Sequence, residues 1–319
     1  MNTQLTKFAS LLRDRWLDVH WAHWTALGVQ GYGRREADWI IDLEALIGST
    51  VVLGGYDQRL LQRAVSWCRN GREWINAARL QRIFAEFQTP WGEGRKTLLS
   101  EAAGQAFMDF LKPSPTSSKA DHAEGEWLRS AFNNAYFDDG PSASFRSGPL
   151  AQLMLRSIFG VSSNTEAMIY LCSHSGGNSG AIAREMYANQ RSIYQVLNRW
   201  SRTNIVRRVT TKAEVRVSLR NKEDLLACLG LESWPRQTNW TKLFATFARI
   251  LSLASDPEIG ADDYLFSSGL RDIAAEIQWA FTALDIDPGP DFGEPGSGFL
   301  PDFKDAVTKS LDVLGGVGS

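Results

Sequence analysis

The side chains best suited to binding bases and phosphates are concentrated between residues 179 and 222. This stretch holds ten Arg and Lys residues against two Glu residues, a net charge of +8, in a chain of 319 residues whose formal net charge is −2. Arginine can donate two hydrogen bonds to one guanine, and Gln or Asn can pair with adenine. Cations that neutralise phosphates also release counterions, which supplies affinity. The stretch therefore indicates nucleic-acid recognition.

Patterns for catalysis or metal binding are weak elsewhere. His20 and His23 stand three residues apart on a predicted helix, but no carboxylate or third ligand follows at a fixed spacing. The pairs Asp138-Asp139 and Asp262-Asp263 fall at predicted turns or helix starts, where a carboxylate favours the helix dipole. The sequence has no GxxxxGK[ST] loop, and Gly177-Asn178-Ser179-Gly180-Ala181 lacks the second glycine of a nucleophile elbow. We expect no enzyme, no cofactor and no metal.

The basic stretch has the periodicity of two helices followed by a hairpin. An apolar-spaced segment covers residues 180–187, and Ser179, which precedes it, is expected to cap it. In the second helix, 191–200, apolar residues recur at i, i+3, i+4 and i+7 from Ile193 to Trp200, and Asn189 is the expected N-cap. Residues 215–219 alternate between apolar and polar types after a first strand near 205–209. This order predicts a winged helix-turn-helix.

The order of elements over residues 149–231 resembles the winged-helix regulators of the bacterial MarR and ArsR kind. Residues 155–171 are similar to the entry into the first helix of that unit, and 179–183 to its second helix. Asn204-Ile205-Val206 resembles the Gly-Leu-Val exit into the wing, with an Asn that can take the left-handed conformation of the usual Gly. Tyr187-Ala188 departs from the small residue or Gly usual at the corner.

The resemblance implies a sequence-specific transcriptional regulator that binds double-stranded DNA, as a homodimer in the bacterial cytoplasm. Its second helix would enter the major groove and its wing would contact phosphates or the minor groove. The implied helix contacts are Gln190, Arg191, Ser192, Tyr194, Gln195, Asn198 and Arg199. The implied wing contacts are Arg207, Lys212 and Arg216.

Three other interpretations stay open at this point. The winged helix could bind a protein, as in an antitoxin-like or defence-associated component, because fold alone does not settle function. The basic face could be solvated and hold no ligand. The N-terminal domain could hide an enzyme whose residues are scattered along the sequence.

The flanking regions are predicted to be helical and to differ in character. Residues 1–111 form a helical domain with seven of the chain's twelve Trp residues, which we expect in an aromatic core or, alternatively, around a site for a small-molecule or protein effector. Residues 112–148 are a linker with a short helix. Residues 235–319 form an acidic helical region, and from residue 255 onward three cations face thirteen anions. Deleting 255–319 is expected to tighten DNA binding, if this charge repels DNA or docks on the basic face.

The predicted fold class is mainly α, with a helical N-terminal domain, a central winged helix-turn-helix with a small β-hairpin wing, and a helical C-terminal segment. Individual helices are predicted at 5–27, at 37–47 ending at Gly48, after the caps Asp57 and Asn76, and at 268–284. No apolar run approaches the ~20 residues that span a membrane, and the start lacks a secretory signal. The cysteines, Cys68, Cys172 and Cys228, are expected to be reduced and packed as small hydrophobes in a cytoplasmic protein.

Overall fold

The computed structural model describes residues 3–30, 38–91, 97–112, 126–133, 140–141, 146–210, 215–287, 291–293 and 296–315. Over these residues the chain is mainly helical, as predicted, with one two-stranded antiparallel sheet. The α-helices are α1 (Thr3–Ala26), α2 (Leu43–Leu53), α3 (Gln58–Asn70), α4 (Ala77–Gln88), α5 (Glu101–Phe110), α6 (Glu126–Asn133), α7 (Ala151–Phe159), α8 (Ser163–Ser173), α9 (Ser179–Glu185), α10 (Gln190–Arg202), α11 (Lys222–Leu229), α12 (Trp240–Ser255), α13 (Asp263–Asp272), α14 (Ala274–Ala283) and α15 (Leu300–Leu314). The strands are β1 (Val206–Thr210) and β2 (Val215–Leu219).

Local capping explains where several helices begin. The side chain of Asp57 accepts a hydrogen bond from the Leu60 amide at the start of α3, and that of Asn76 does the same for Arg79 at the start of α4. Both caps confirm the sequence prediction, because an Asp or Asn oxygen satisfies an amide that has no partner within the helix.

The predicted helix over 37–47 is wrong in its bounds. Asp42 caps α2 by accepting from the Ala45 amide, so the helix begins at Leu43 and continues to Leu53. Gly48 lies inside this helix, where an added Cβ would come within 2.8 Å of the Phe87 ring. A close approach of α2 and α4 therefore explains this glycine, and residues 50–53, beyond the predicted end of the helix, are helical as well.

The predicted single helix over 268–284 is two helices. Asp262 caps α13 through the amides of Tyr264 and Leu265, so the first helix begins earlier than predicted. The backbone leaves helical geometry at Ile273, with φ −118° and ψ 20°, and α14 starts directly after it. The buried side chain of Ile273 packs in the core at this break.

The larger hydrophobic core contains side chains from both ends of the chain. The ring of Trp16 on α1 lies beside Phe244 and Phe247 of α12, and the ring of Phe8 lies beside Phe303 of α15. α12 also packs against α2 and α4. The residues of 1–111 and of 235–319 thus share one core, in which the most deeply buried tryptophans are Trp16, Trp24, Trp67 and Trp240.

A smaller core lies among α8, α9, α10 and the hairpin. It contains Ile169, Ile182, Trp200 and Val217, all with at most 5% of their surface exposed. The two strands pair from Val206↔Leu219 to Thr210↔Val215. The Gly177 backbone also exchanges two hydrogen bonds of 2.9 Å with Val217, which fixes the loop before α9 against the hairpin.

Cys68 and Cys172 are buried and reduced, as expected, but Cys228 is exposed on α11, so the prediction of three packed cysteines is wrong for this one. None of the described helices is both long and apolar enough to cross a membrane.

Buried charged side chains join helices of the larger core to helices of the smaller one. Glu44 of α2 accepts hydrogen bonds from Arg79 of α4 at 2.7 Å and from Arg156 of α7 at 2.8 Å. Arg156 also donates to Glu166 of α8 at 3.0 Å, and Arg79 pairs with Asp42. Burial acts to raise the pKa of the Asp42 carboxyl, but Arg79 beside it lowers that pKa below its ordinary value. The network is held together because each charge would be strongly destabilised alone in the interior.

Candidate nucleic-acid interface

Asparagine caps start the two helices of the basic stretch. Asn189 accepts a hydrogen bond of 3.0 Å from the Ser192 amide, as predicted for α10. The cap of α9 is Asn178, which accepts from the Ala181 amide at 2.8 Å, so Ser179 is the first helical residue and its predicted capping role is wrong. The shift by one residue follows from Asn and Ser being almost equally good caps.

Three side chains from the helical body hold the corner between α9 and α10. The carbonyl oxygens of three consecutive residues, Glu185, Met186 and Tyr187, accept these bonds. Arg79 Nε donates to the Met186 carbonyl at 2.7 Å, Arg82 Nη1 to that of Tyr187 at 3.3 Å, and Asn239 Nδ2 to that of Glu185 at 3.4 Å. Carbonyls at a helix end have no partner within the helix. We call this set of three contacts the corner clamp.

Tyr187, at the corner between α9 and α10, has a left-handed backbone with φ 51°. Its ring is half-buried and packs against the larger core. The packing of the ring and the corner clamp together compensate for a conformation that a bulky residue rarely adopts.

The two faces of α10 divide as predicted. Ile193, Val196, Leu197 and Trp200 are buried in the smaller core. Of the residues predicted to contact a ligand, five are exposed and two are half-buried. The exposed ones are Gln190, Arg191, Tyr194, Gln195 and Arg199, and the half-buried ones are Ser192 and Asn198.

The predicted helix residues point in three directions. Arg191, Gln195 and Asn198 recur at i, i+4 and i+7, and exposed Arg202 continues them at i+11. We call these four side chains the outer row. Gln190 and Tyr194 line a groove of about 340 Å³ between α10 and the hairpin, whose floor includes Leu197 and Val217. Asn198 lines this groove as well, so it lies on the edge that the outer row shares with the groove.

The third direction is towards α8. Arg199 donates to the Asn164 side chain at the start of that helix, at 2.8 Å, and Ser192 lies on the same side of α10. Arg199 therefore points away from the outer row.

The hairpin adds exposed arginines beside the groove. Arg207 on β1 and Arg216 on β2 are exposed, as predicted, and Arg216 donates to Ser175 Oγ at 2.9 Å. Lys212 lies outside the described residues. Arg208, which was not predicted, crosses the groove and donates to Asn198 Oδ1 at 3.0 Å.

Sequence reasoning thus missed Arg202 and Arg208. Extending the helical wheel by one turn past Arg199 would have found Arg202. The contact of Arg208 with the helix depends on how the hairpin packs, which no local pattern records.

Among the described residues, the arginines of this face have no acidic partner. Across the described residues, no carboxylate lies within 4.0 Å of a guanidinium in this group. The group comprises Arg191, Arg199, Arg202, Arg207, Arg208, Arg216 and Arg220. An array of uncompensated, solvent-exposed cations raises the local concentration of anions and speeds their association.

Two of the residues considered for metal or acid–base chemistry, His20 and Asp262, have structural hydrogen-bond partners, whereas the buried Nε2 of His23 has none among the described residues. His20 places Nδ1 3.0 Å from the Trp16 carbonyl oxygen and Nε2 2.9 Å from Ser49 Oγ. Burial lowers the pKa of His20 to about 4 and that of His23 to about 3, so both are neutral near pH 7. Asp262 caps α13, in keeping with a role at a helix start, and Asp138-Asp139 lies outside the described residues. The described part of the chain contains no cluster of three His, Cys, Asp or Glu residues placed to hold a metal ion.

The geometry of the described interface is an exposed polar helix row, an adjacent groove and a basic hairpin, all mounted on a helical body through the corner clamp and the buried charges. Comparison of the chain with models of protein families, with curated proteins and with solved structures gave no match to any of them.

Proposed function

We propose that this protein is a sequence-specific transcriptional regulator that binds double-stranded DNA as a homodimer. Residues 149–231 form its winged helix-turn-helix, with α10 as the recognition helix and the β1–β2 hairpin as the wing. The observation that carries the proposal is the outer row of α10, which presents side chains of types that read bases. The arginines beside this row have no acidic partner in the described part of the chain.

The order and pairing of the elements support a winged unit. α8, α9 and α10 precede the hairpin, and the Gly177 backbone pairs with β2 in the manner of a third, very short strand. Gly176 has φ 131°, and an added Cβ there would come within 2.6 Å of the Val217 carbonyl oxygen. Gly176 thus lets the loop before α9 approach the hairpin closely, whereas Gly177 lets the same loop pass against the Tyr170 ring.

The residues of the interface are assigned different parts. Arg191 and Gln195 have no described side-chain partner and are free to read base edges in the major groove. Asn198 uses its Oδ1 to accept from Arg208, so it offers only its amide N–H groups to an acceptor such as guanine O6 or thymine O4. Arg207 and Arg216 on the hairpin suit phosphate contacts, which position the protein without reading sequence.

Selection of bound duplexes from a random library, followed by affinity measurements over a salt series, tests the proposal. Arg191→Ala should weaken the selected duplex by about 1–3 kcal/mol and relax preference at one base position. Arg207→Ala should weaken all duplexes alike and reduce the salt slope by about 1. Arg13→Ala, which removes one cation from α1 far along the chain, is the matched control and should change neither.

Two results would overturn the proposal. The first is recovery of no enriched sequence from the library. The second is duplex binding that is insensitive both to salt and to Arg191→Ala. Light scattering of the free protein tests the dimer separately, and a monomer that reads a single half-site would contradict only that part.

A protein partner is the second candidate, because apolar side chains are exposed on the same unit. Tyr194, Ile205 and Val209 have 52%, 38% and 46% of their surface exposed. Aromatic anchors commonly dominate protein interfaces. If this candidate is right, Tyr194→Ala should abolish capture of a purified partner at high salt, whereas the Arg191→Ala variant should retain it.

A further inference from the structure

A cleft separates α9 from the helical body next to the corner clamp. It has a volume of about 540 Å³ and is lined by Arg184, Glu185 and Tyr187 on one wall and by Lys242 and Trp279 on the other. Volumes of roughly 300–1,000 Å³ are typical of sites that take small molecules. None of its lining residues belongs to the outer row or to the hairpin, so the cleft is distinct from the candidate nucleic-acid interface.

Each wall of the cleft carries a cation without an ionic partner. Among the described residues, no carboxylate lies within 4.0 Å of Arg184 or of Lys242. Lys242 places its Nζ 4.2 Å from the centre of the Trp279 ring, and burial lowers its pKa from the ordinary value.

The acids near these cations are already engaged. The Glu185 carboxylate lies 3.1 Å from His174 Nε2, a contact that raises the pKa of that histidine. Glu276 accepts a hydrogen bond of 3.2 Å from Arg249. The cleft therefore offers two cations that make no ion pair within 4.0 Å among the described residues, together with the aromatic surface of Trp279 and Tyr187. Glu276 and Glu86 act on Lys242 only through longer-range attraction, which raises its pKa and partly opposes the effect of burial.

The position of the cleft connects it to the corner. Glu185 and Asn239 both line the cleft. The backbone carbonyl of Glu185 accepts the hydrogen bond that Asn239 donates in the corner clamp. An anion held between Arg184 and Lys242 would tie α9 to the first turn of α12. Because α9 packs directly on α10, the tilt of α10 depends on how α9 is held.

We propose that this cleft binds a small organic anion, a carboxylate or phosphate ester with an apolar group, and that the bound anion alters duplex affinity through α9. The anion lies between Arg184 and Lys242, and its apolar group lies against the cleft's aromatic side chains. The regulatory half of this inference rests on the proposed function, whereas the binding half does not.

Isothermal titration calorimetry of the full chain with phenyl phosphate and phenylacetate at millimolar concentration tests the binding half. The two probes distinguish a phosphate site from a carboxylate site. Arg184→Gln and Lys242→Gln should each weaken the probe that binds by about tenfold or more, since each removes a charged donor. Arg13→Gln and Lys309→Gln, exposed cations on α1 and α15, are matched controls and should bind as the unaltered chain does.

Circular dichroism of each variant establishes that it is folded before the titration. Absence of heat with both probes, or equal binding by the cleft variants and the controls, would overturn the inference.

Duplex affinity with and without the bound probe tests the regulatory half. We expect the probe to change affinity for a selected duplex in the unaltered chain and not in Lys242→Gln. Binding of the probe with no change in duplex affinity would overturn the regulatory half alone. A chain that binds the probe but no duplex would instead contradict the proposed function while leaving the anion site supported by calorimetry.

Discussion

Arg79 is the residue on which the attachment of the basic unit to the helical body depends most directly. Its guanidinium is 1% exposed and reaches the Asp42 and Glu44 carboxylates, while its Nε donates to the Met186 carbonyl of the corner. One side chain thus satisfies two buried acids and one orphan carbonyl. It serves both stability and the placement of α10.

We expect Arg79→Met to lower the free energy of unfolding by about 3–5 kcal/mol, because it leaves the Asp42 and Glu44 carboxylates buried with one cation fewer. Urea unfolding followed by circular dichroism measures this loss. Arg82→Met is the matched control on the same helix, since Arg82 is exposed and makes only a long bond to the Tyr187 carbonyl. Its expected loss is below about 1 kcal/mol, and similar losses for the two variants would contradict the prediction.

At this scale the sequence predicted caps but not buried charges. Asp57, Asn76 and Asn189 were identifiable because a cap and the amide it satisfies lie within three residues of each other. Arg79 and Met186 are 107 residues apart, and an arginine in a helix of mixed pattern is ordinarily a surface residue. Nothing local distinguishes Arg79 from Arg82, so only the packed fold assigns their roles.

At the scale of the elements, the turn between α10 and β1 confirms the prediction that Asn204 takes the left-handed conformation usual for Gly. Asn204 follows the end of α10 and has φ 63°, the left-handed conformation expected of an Asn in place of the usual Gly. The turn reverses the chain so that β1 can pack beside the helix. Its geometry therefore sets the groove between α10 and the hairpin.

Asn204→Gly should raise the free energy of unfolding by up to about 1 kcal/mol, because Gly adopts this conformation without steric cost. Asn204→Ala should lower it by about 1 kcal/mol, since Ala has neither that freedom nor a side-chain amide. The control is Thr203→Gly, one residue earlier, where φ is −93°. Because the folded backbone there does not need a glycine, the substitution only raises the conformational entropy of the unfolded chain, and the free energy of unfolding should fall. The midpoints of urea unfolding measure these changes. At position 204 the stability should decrease in the order Gly, Asn, Ala, and any other order would contradict a left-handed conformation at this residue.

Element types were more predictable than element bounds. α10 and the hairpin were identified because their apolar periods are strict and short-ranged. The bounds of α2 and the division between α13 and α14 were wrong, because a glycine packed against a neighbouring helix and a break at Ile273 depend on contacts distant in sequence. Arg208 was missed for a related reason: the direction in which the hairpin crosses α10 is a tertiary property.

At the scale of the whole molecule, the acidic C-terminal region and the N-terminal helices form one folded body. Phe266, Phe281 and Phe303 of α13, α14 and α15 are almost fully buried in the larger core, and α15 packs along α1. Deletion of 255–319 would expose the partners of these rings and unfold the body. The hypothesis that this region repels DNA therefore needs substitutions that remove charge and leave the core intact.

A suitable set is Glu258→Gln, Asp287→Asn and Asp302→Asn, three exposed acids without an ion pair among the described residues. If the C-terminal charge repels duplex DNA, the triple variant should bind a selected duplex about two- to tenfold more tightly at low salt. The gain should shrink towards nothing near 1 M salt, where charges more than about 3 Å apart are screened.

The matched control neutralises three exposed acids of the N-terminal helices instead, Asp18→Asn, Glu73→Gln and Glu101→Gln. The effect of a charge on DNA binding depends on its distance from the DNA. If the charge distribution orients the molecule, the C-terminal and the N-terminal substitutions should therefore change duplex affinity by different amounts. Equal gains from both sets would mean that total charge alone governs affinity, and the charge segregation along the chain would then have no orienting role. Unchanged thermal unfolding of both variants would show that any difference in duplex affinity comes from the removed charges and not from a disturbed hydrophobic core.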